Sequence, residues 1–364
     1  MKINGKHFRT IWVNSDGWSV STFDQTLLPH STEIIKLTTI KDVAHAIKSM
    51  QVRGAPLIGA TAAYGICLQM RKNPSSISLS AAIEYLAKQR PTAVNLSWAL
   101  EQMRNSLKNV PENKRATVAY LRAAEICDDD VETCRKIGVH GLKILEEIAE
   151  RKPFGEPINI LTHCNAGWLA AVDWGTATSP IYQAFDAGFK MHVWVDETRP
   201  RNQGASLTAF ELGCHGVPHT IIVDNAGGHL MQHGLVDLCI VGTDRTTSTG
   251  DVANKIGTYL KALAAKDNGV PFYVALPYST IDWTIEDGMT IPIEERPEDE
   301  VLKISGRTIG KTHNEIVKID IAASNSSARN PAFDITPGRL VTGLITERGI
   351  TKATKNGLLE LYKK

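Results

Sequence analysis

The second half of this chain alternates short apolar runs with helical stretches, and that alternation constrains the fold more than any other feature. The runs are residues 158–161, 191–195, 220–223, 238–241 and 272–276. Helical patterns at 181–187, 206–212 and 254–265 separate them. Near-continuous apolar strands with helices between them predict an α/β fold, a mostly parallel sheet covered on both faces. Residues just beyond such strands collect on one edge, where α/β sheets bind ligands.

The segments at the strand ends are therefore where chemistry is expected. After the first strand comes His163-Cys164-Asn165. After the second comes the stretch from Asp196 to Gly204, with Arg199, Arg201 and Gln203. After the third comes Asp224-Asn225-Ala226, and after the fourth Gly242-Thr243-Asp244-Arg245. A free cysteine is ordinarily a small buried hydrophobe. Convergence with carboxylates, arginines and amides makes Cys164 a candidate site residue, and a helix expected just after it would favour the thiolate. His163 is poorly placed as its base, because neighbours on a strand point to opposite faces. Residues 250–257 are expected to open a helix with Lys255 in its first turns, a reasonable phosphate contact.

The first half reads differently. Residues 8–40 look β-rich, with Asn14-Ser15-Asp16-Gly17 as a hairpin turn and a third strand at 33–37. Helical patterns start from Thr39 and recur at 80–88, 93–107 and 113–149, the last expected to break at Asp128-Asp129-Asp130. Arg53-Gly54-Ala55-Pro56 precedes an Ala- and Gly-rich helix. Taken alone, Arg53 reads as a surface arginine on a loop, with an anion clamp at the helix start as the alternative. Residues 151–157, with two prolines and a glycine, form the clearest boundary and divide the chain into 1–150 and 151–364. The tail from Ile281 looks irregular, ending in a helix over 357–363.

Several classes are excluded. A net charge of +1 gives no reason to expect nucleic acid or an anionic membrane as partner. No run approaches the ~20 apolar residues of a membrane span. The six cysteines are scattered singly, match no zinc spacing, and suggest reduced thiols and a cytoplasmic home. Neither G-x-x-x-x-G-K-[ST] nor G-x-G-x-x-G occurs, so a nucleotide cofactor is unsupported. The remaining reading is a small anionic ligand held by Arg53, Arg90 and Lys255, with Cys164 and Asp244 near its reactive carbon.

At these positions the sequence resembles the methylthioribose-1-phosphate isomerases, relatives of the regulatory subunits of the translation-initiation exchange factor. The resemblance runs through Arg53-Gly54-Ala55-Pro56, Arg90-Pro91-Thr92-Ala93-Val94-Asn95-Leu96, Thr162-His163-Cys164-Asn165-Ala166-Gly167, Asp196-Glu197-Thr198-Arg199-Pro200 with Gln203-Gly204, Gly242-Thr243-Asp244-Arg245, the stretch from Gly250 to Tyr259, and Pro331-Ala332-Phe333-Asp334. It implies a small mixed α+β N-terminal domain followed by a Rossmann-like catalytic domain, in a homodimer that needs no metal or organic cofactor. It implies Asp244 and Cys164 as the catalytic pair, and Arg53, Gly54, Ala55, Arg90, Gln203, Asn254 and Lys255 as substrate-binding residues. The implied reaction converts 5-methylthioribose 1-phosphate to 5-methylthioribulose 1-phosphate, in methionine salvage. Thr246-Thr247-Ser248-Thr249 and Ser97 depart from the family pattern near the expected pocket. They leave 5-deoxyribose 1-phosphate open as substrate. A non-catalytic sugar-phosphate or nucleotide-binding regulatory subunit is the alternative, and a thiol acyltransferase or hydrolase a more distant one.

Overall fold

The computed structural model describes residues 1–3, 5–90, 93–309 and 315–362. The predicted alternation becomes a seven-stranded sheet, in the order Gly349–Thr351, Gly343–Thr346, Phe272–Ala275, Leu238–Val241, Ile158–Thr162, Met191–Asp196 and His219–Ile222. Every neighbouring pair is parallel except the first, where Gly349–Thr351 runs antiparallel to Gly343–Thr346. Alternate side chains of a strand face opposite sides, and here they enter two separate cores. Ile158, Ile160, Leu238 and Ile240 join one with Val193 and Val195. Leu161, Cys239, Val241 and Val274 join the other. Burial on both faces is why the inner strands read as apolar runs; the edge strand His219–Ile222 reads the same way yet leaves Ile221 exposed.

Two strands of this sheet lie in the tail expected to be irregular. Leu344 and Ile345 are fully buried, yet Thr342 and Gly343 interrupt the run, so no sustained apolar pattern announces it. Pairing with Phe272–Ala275 supplies the order that local sequence does not. The closing helix is Lys355–Tyr362.

The N-terminal part opens with the expected antiparallel sheet, Ile11–Val13, Val20–Phe23 and Ile34–Leu37. Helices come next at Ile40–Lys48, Ala55–Lys72, Ser76–Ala87, Val94–Leu107 and Glu112–Arg151. Thr39 and Asp42 cap the first reciprocally. Glu112–Arg151 runs 40 residues without the break expected at Asp128-Asp129-Asp130. Two of those acids find partners off the helix. Arg9 Nη1 donates to Asp128 at 2.6 Å, and the Val172 amide donates to Asp130 at 2.7 Å. Buried Cys127, Cys134 and Ile137 keep the helix packed on both sides of the acidic triplet.

A second, four-stranded sheet carries Ile281–Asp282, Arg245–Thr247, Val252–Lys255 and Phe333–Thr336 in that order. Residues 252–255 are thus a strand of a hairpin rather than a helix start, and the helix begins at Thr258. Polar groups close the hairpin. Thr247 Oγ1 accepts the Asp251 amide at 3.0 Å, Ser248 Oγ donates to the Ile285 carbonyl at 3.0 Å, and Gly250 takes a left-handed φ of 95°. The Thr246–Thr249 run serves this turn and lines no cavity around Cys164, and Ser97 is exposed. The expectation that both lie at the pocket is corrected. No described helix is long and apolar enough to cross a membrane.

Candidate active site

Cys164 lies two residues beyond the strand Ile158–Thr162, with φ at 67°. A non-glycine residue in that region is uncommon and needs support. Thr198 Oγ1 accepts the Cys164 amide at 2.9 Å, and Thr208 Oγ1 donates to the Cys164 carbonyl at 2.7 Å. Thr208 ends a π-helical turn, Gly204–Thr208, a feature frequent at functional sites. A Cβ on Gly204 would collide with the Asp196 carbonyl, so glycine is what lets this turn approach the strand end. The helix expected after Cys164 is absent. A single 3-10 turn, Trp168–Ala170, precedes the next helix at Thr178–Asp186. The thiol is instead raised above its ordinary value, with burial the largest cause. Burial pushes the Cys164 thiol up, Arg53 and Lys255 pull it down, and Asp244 pushes it up again.

His163 is committed elsewhere. Its Nδ1 lies 2.8 Å from Asp196 Oδ2, and its Nε2 lies 2.8 Å from the Ile256 carbonyl. With both ring nitrogens engaged, neither serves Cys164. Asp196 is fully buried and also pairs with Lys261 Nζ at 3.1 Å. His163, Asp196 and Asp224 offer three potential ligand atoms within 4.8 Å of one another. Lys261 reaches the Asp224 carbonyl as well, so an ammonium already supplies positive charge to that cluster.

Arg53 is buried, not a surface residue. Its Nη1 donates to Asn165 Oδ1 and its Nη2 to the Asn165 carbonyl at 2.9 Å. Asn165 in turn donates to Glu211 Oε1 at 2.9 Å. Glu211 also accepts from the Leu169 amide at 2.8 Å, the Trp168 amide at 2.9 Å and Tyr182 Oη at 3.1 Å. Burial pushes its carboxyl up to about 7, while these donors favour the ionised form. Glu211 thus ties down the loop beyond Cys164. Sequence reasoning passed over it; the available signal is an acid flanked by buried Ala209 and Leu212 on one short helix.

Gly54 adopts φ of 91° and sits so close to Ala170 that any Cβ would clash. It brings the start of the helix Ala55–Lys72 against the Cys164 loop. One cavity is lined by Arg53, Gly54, Ala55, Cys164, Asp244 and Asn254, among others. The hairpin explains the last two. Its register pairs Arg245 with Ala253, which brings Asp244 level with Asn254. Arg90 borders an adjoining cavity that shares Ala55 and Asp244, and its Nε is buried without a partner among the described residues. Pro91 and Thr92 lie outside the described residues. Gln203 is not in the Cys164 cavity. It borders a third cavity, of about 260 Å³, that shares Arg53. Lys255 Nζ donates to the Ala332 carbonyl at 2.8 Å and lies 4.9 Å over the Phe333 ring.

Residues 51–353 match the Initiation factor 2 subunit family. The chain is 60% identical over 363 residues to the methylthioribose-1-phosphate isomerase of Rhizobium meliloti (strain 1021), covering 100% of this chain and 99% of the relative. The chain belongs to the methylthioribose-1-phosphate isomerase family. The crystal structure of 5-methylthioribose 1-phosphate isomerase from Pyrococcus horikoshii OT3 superposes with a TM-score of 0.83 at 38% identity, covering 98% of this chain and 96% of that one. The translation initiation factor eIF-2B, subunit delta, from A. fulgidus superposes with a TM-score of 0.80 at 37% identity, covering 98% and 100%.

Asp244 is the carboxyl in these cavities whose surroundings are most heavily charged. Burial pushes its carboxyl up, Lys255, Arg90 and Arg53 pull it down, and Glu294 pushes it up. The balancing forces are charges rather than hydrogen bonds. Lys255 is lowered by burial and held up by Cys164 and Asp244. The site pairs a carboxyl that keeps its proton more readily than usual with a thiol flanked by cations. Such groups can move protons to and from a sugar near neutral pH.

Proposed function

We propose that this chain is an aldose–ketose isomerase that converts 5-methylthioribose 1-phosphate to 5-methylthioribulose 1-phosphate, the step its relatives' names describe. The observation that carries the reading is that Cys164 and Asp244 line one cavity with Arg53 and Asn254. Burial supplies the partly dry setting that a carboxylic acid needs to stay protonated. The substrate's anomeric oxygen bears phosphate, so no free hemiacetal is available and the ring must be opened by acid. Asp244 gives a proton to the ring oxygen as the bond from C1 to that oxygen breaks. Cys164, as the thiolate that Arg53 and Lys255 favour, receives the proton that must leave as C2 becomes a carbonyl. One proton enters, one leaves, and hydrogen passes from C2 to C1, so atoms balance. Deuterium from solvent at C1 of the product would identify an enediolate-type route and overturn a direct hydride shift.

Arg53, Arg90 and Lys255 act on the phosphate, with Gly54 and Ala55 offering backbone N–H groups at a helix start. A reduced, cytoplasmic homodimer belongs to the same reading, as does 5-deoxyribose 1-phosphate as a second substrate. Likeness to the A. fulgidus factor favours a non-catalytic subunit as the other reading, against which stands the presence of both Cys164 and Asp244. An NMR assay of the purified protein with both sugar phosphates, with Cys164→Ser beside it, tests these readings. Ketose 1-phosphate from either sugar, lost in the variant, is the expected result, and the ratio of kcat/KM ranks the substrates. No turnover by folded wild type would instead favour the binding subunit.

A further inference from the structure

Glu294 is a carboxylate standing in a place assigned to an anion. Arg90 Nη2 donates to Glu294 Oε2 at 3.3 Å, and Arg296 Nη1 donates to Glu294 Oε1 at 2.8 Å. Next to a phosphate-binding arginine such a group is costly unless it has a task. We propose that Glu294 is a positioning residue, gripping Arg90 by one side of its guanidinium and leaving its Nε for the substrate phosphate. The proposal rests on the isomerase reading and assigns a role to a residue outside the cavity linings described above.

Three observations carry it. The first is the orphaned donor: Arg90 Nε is buried without a partner among the described residues. A buried N–H left unmade costs about 1–3 kcal/mol, so native structures rarely keep one without a reason. A guanidinium has five N–H groups in a planar fork, so one side can hold a carboxylate while another meets an oxyanion.

The second is that Glu294 is itself fixed, and fixed to Lys255. The Ala332 amide donates to the Glu294 carbonyl at 2.8 Å, and Glu295 bridges Pro331. The Ala332 carbonyl then accepts Lys255 Nζ at 2.8 Å and the Ile256 amide at 3.1 Å. Arg90 comes from the helical N-terminal part and Lys255 from the hairpin. Glu294 and Ala332 set the two cations in register, although 165 positions separate them in sequence.

The third is charge. Arg296 also donates to Glu300 at 2.6 Å, and Glu300 accepts Arg201 at 2.7 Å. Glu294 is thereby neutralised on its outer side without drawing Arg90 fully away from the cavity. The charged groups acting on Asp244 are Lys255, Arg90, Arg53 and Glu294, with Cys164 on the same cavity wall. Of the four named charges, Glu294 alone is negative. Replacing it by a neutral group leaves the three cations unopposed and lowers the pH at which Asp244 gives up its proton.

The test compares wild type with Glu294→Gln, which keeps the shape, and Glu294→Asp, which keeps the charge. With 5-methylthioribose 1-phosphate, Glu294→Gln is expected to raise KM about tenfold, as befits loosening one charge-assisted hydrogen bond. Its kcat at the optimum is expected to change little, and the basic limb of its kcat profile to move to lower pH. Glu294→Asp is expected to leave that limb near the wild-type position. A purely structural link would lower Tm and leave the limb unmoved, and that result overturns the proposal. So does an unchanged KM, or a lower KM, which would make Glu294 a competitor of the phosphate. Calorimetric titration with inorganic phosphate separates the two failures. If wild type turns over no sugar phosphate, the isomerase reading falls. Weaker phosphate binding by Glu294→Gln then still supports the positioning role, and equal or tighter binding overturns it.

Discussion

Asp196 and Asp244 both sit at the carboxyl edge of the same sheet, one ending its strand and the other three residues beyond its own. Their surroundings make them opposites. Asp196 is fully buried and meets His163 at 2.8 Å and Lys261 at 3.1 Å. Asp244 borders two cavities and is balanced by charges that do not hydrogen-bond to it. A carboxylate held between a histidine ring and an ammonium is fixed in place. One that is desolvated and loosely balanced keeps its proton longer and can give it away. Equivalent places in a topology therefore do not imply equivalent roles.

The largest effect that would break this contrast is catalytic. Asp244→Asn is expected to cut kcat by about 10²–10⁴-fold, the range of a lost general acid or base, with folding intact by circular dichroism. Asp196→Asn is expected to act on stability instead. Removing the carboxylate that pairs with buried Lys261 is expected to cost about 3–5 kcal/mol, read as a large fall in Tm. If Asp244→Asn unfolded the protein and Asp196→Asn spared it, the assignment of roles would be reversed.

A smaller effect sharpens the contrast through pH. The folded state raises the Asp244 pKa above its ordinary value of 3.8. The unfolded chain therefore releases that proton first, and wild type loses stability as pH rises from the ordinary value through the raised one. Asp244→Asn lacks this loss. Its Tm relative to wild type should climb over that window and be at least equal at neutral pH. A relative Tm that falls with pH would mean that Asp244 is stabilised as an ion.

Glu211 tests whether loop anchoring matters as much as the charged residues. Each of its oxygens faces two donors, so the amide of Glu211→Gln must turn its NH2 towards two of them. A loss of about 1–3 kcal/mol is expected, with kcat reduced because the loop from Asn165 to Leu169 shifts. Unchanged kcat would show that the loop is held without Glu211. The smallest effect is expected from Ser97→Arg, on an exposed helix face, which should alter kcat/KM for the two candidate sugars by less than twofold, within about ±0.5 kcal/mol. A larger change in their ratio would return Ser97 to the substrate pocket.

Much of this site was legible in the chain. Gathering Cys164, Asp196, Asp224 and Asp244 on one edge required only the apolar runs before them. The hairpin at Asn14–Gly17 and the helix after Gly54 came from turn and cap chemistry. Other features were misread for definable reasons. Residues 252–255 pair with Phe333–Thr336, partners about eighty positions away, and no local period reports such a ladder. The Asp128-Asp129-Asp130 triplet looked like a cap because its partners, Arg9 and the Val172 amide, are remote in sequence. Gln203 follows the strand Met191–Asp196 in sequence, yet it lines a different cavity, one that shares Arg53 but not Cys164.

Sequence alone determined most of the segments buried on both sides, because continuous apolar character has few other outlets in a folded chain; the exposed run 220–223 and the buried strand Gly343–Thr346 are the exceptions. That fixed the parallel sheet and the edge where ligands bind. Tertiary structure decided what each polar group on that edge does. Proton affinity and hydrogen bonding depend on which charges stand within a few ångströms, and those charges come from Arg53, Arg90, Lys255, Lys261 and Glu294, spread over some 240 positions of the chain. Distances of that kind are set by packing, so only the folded protein separates the aspartate that is locked from the one that is free to act.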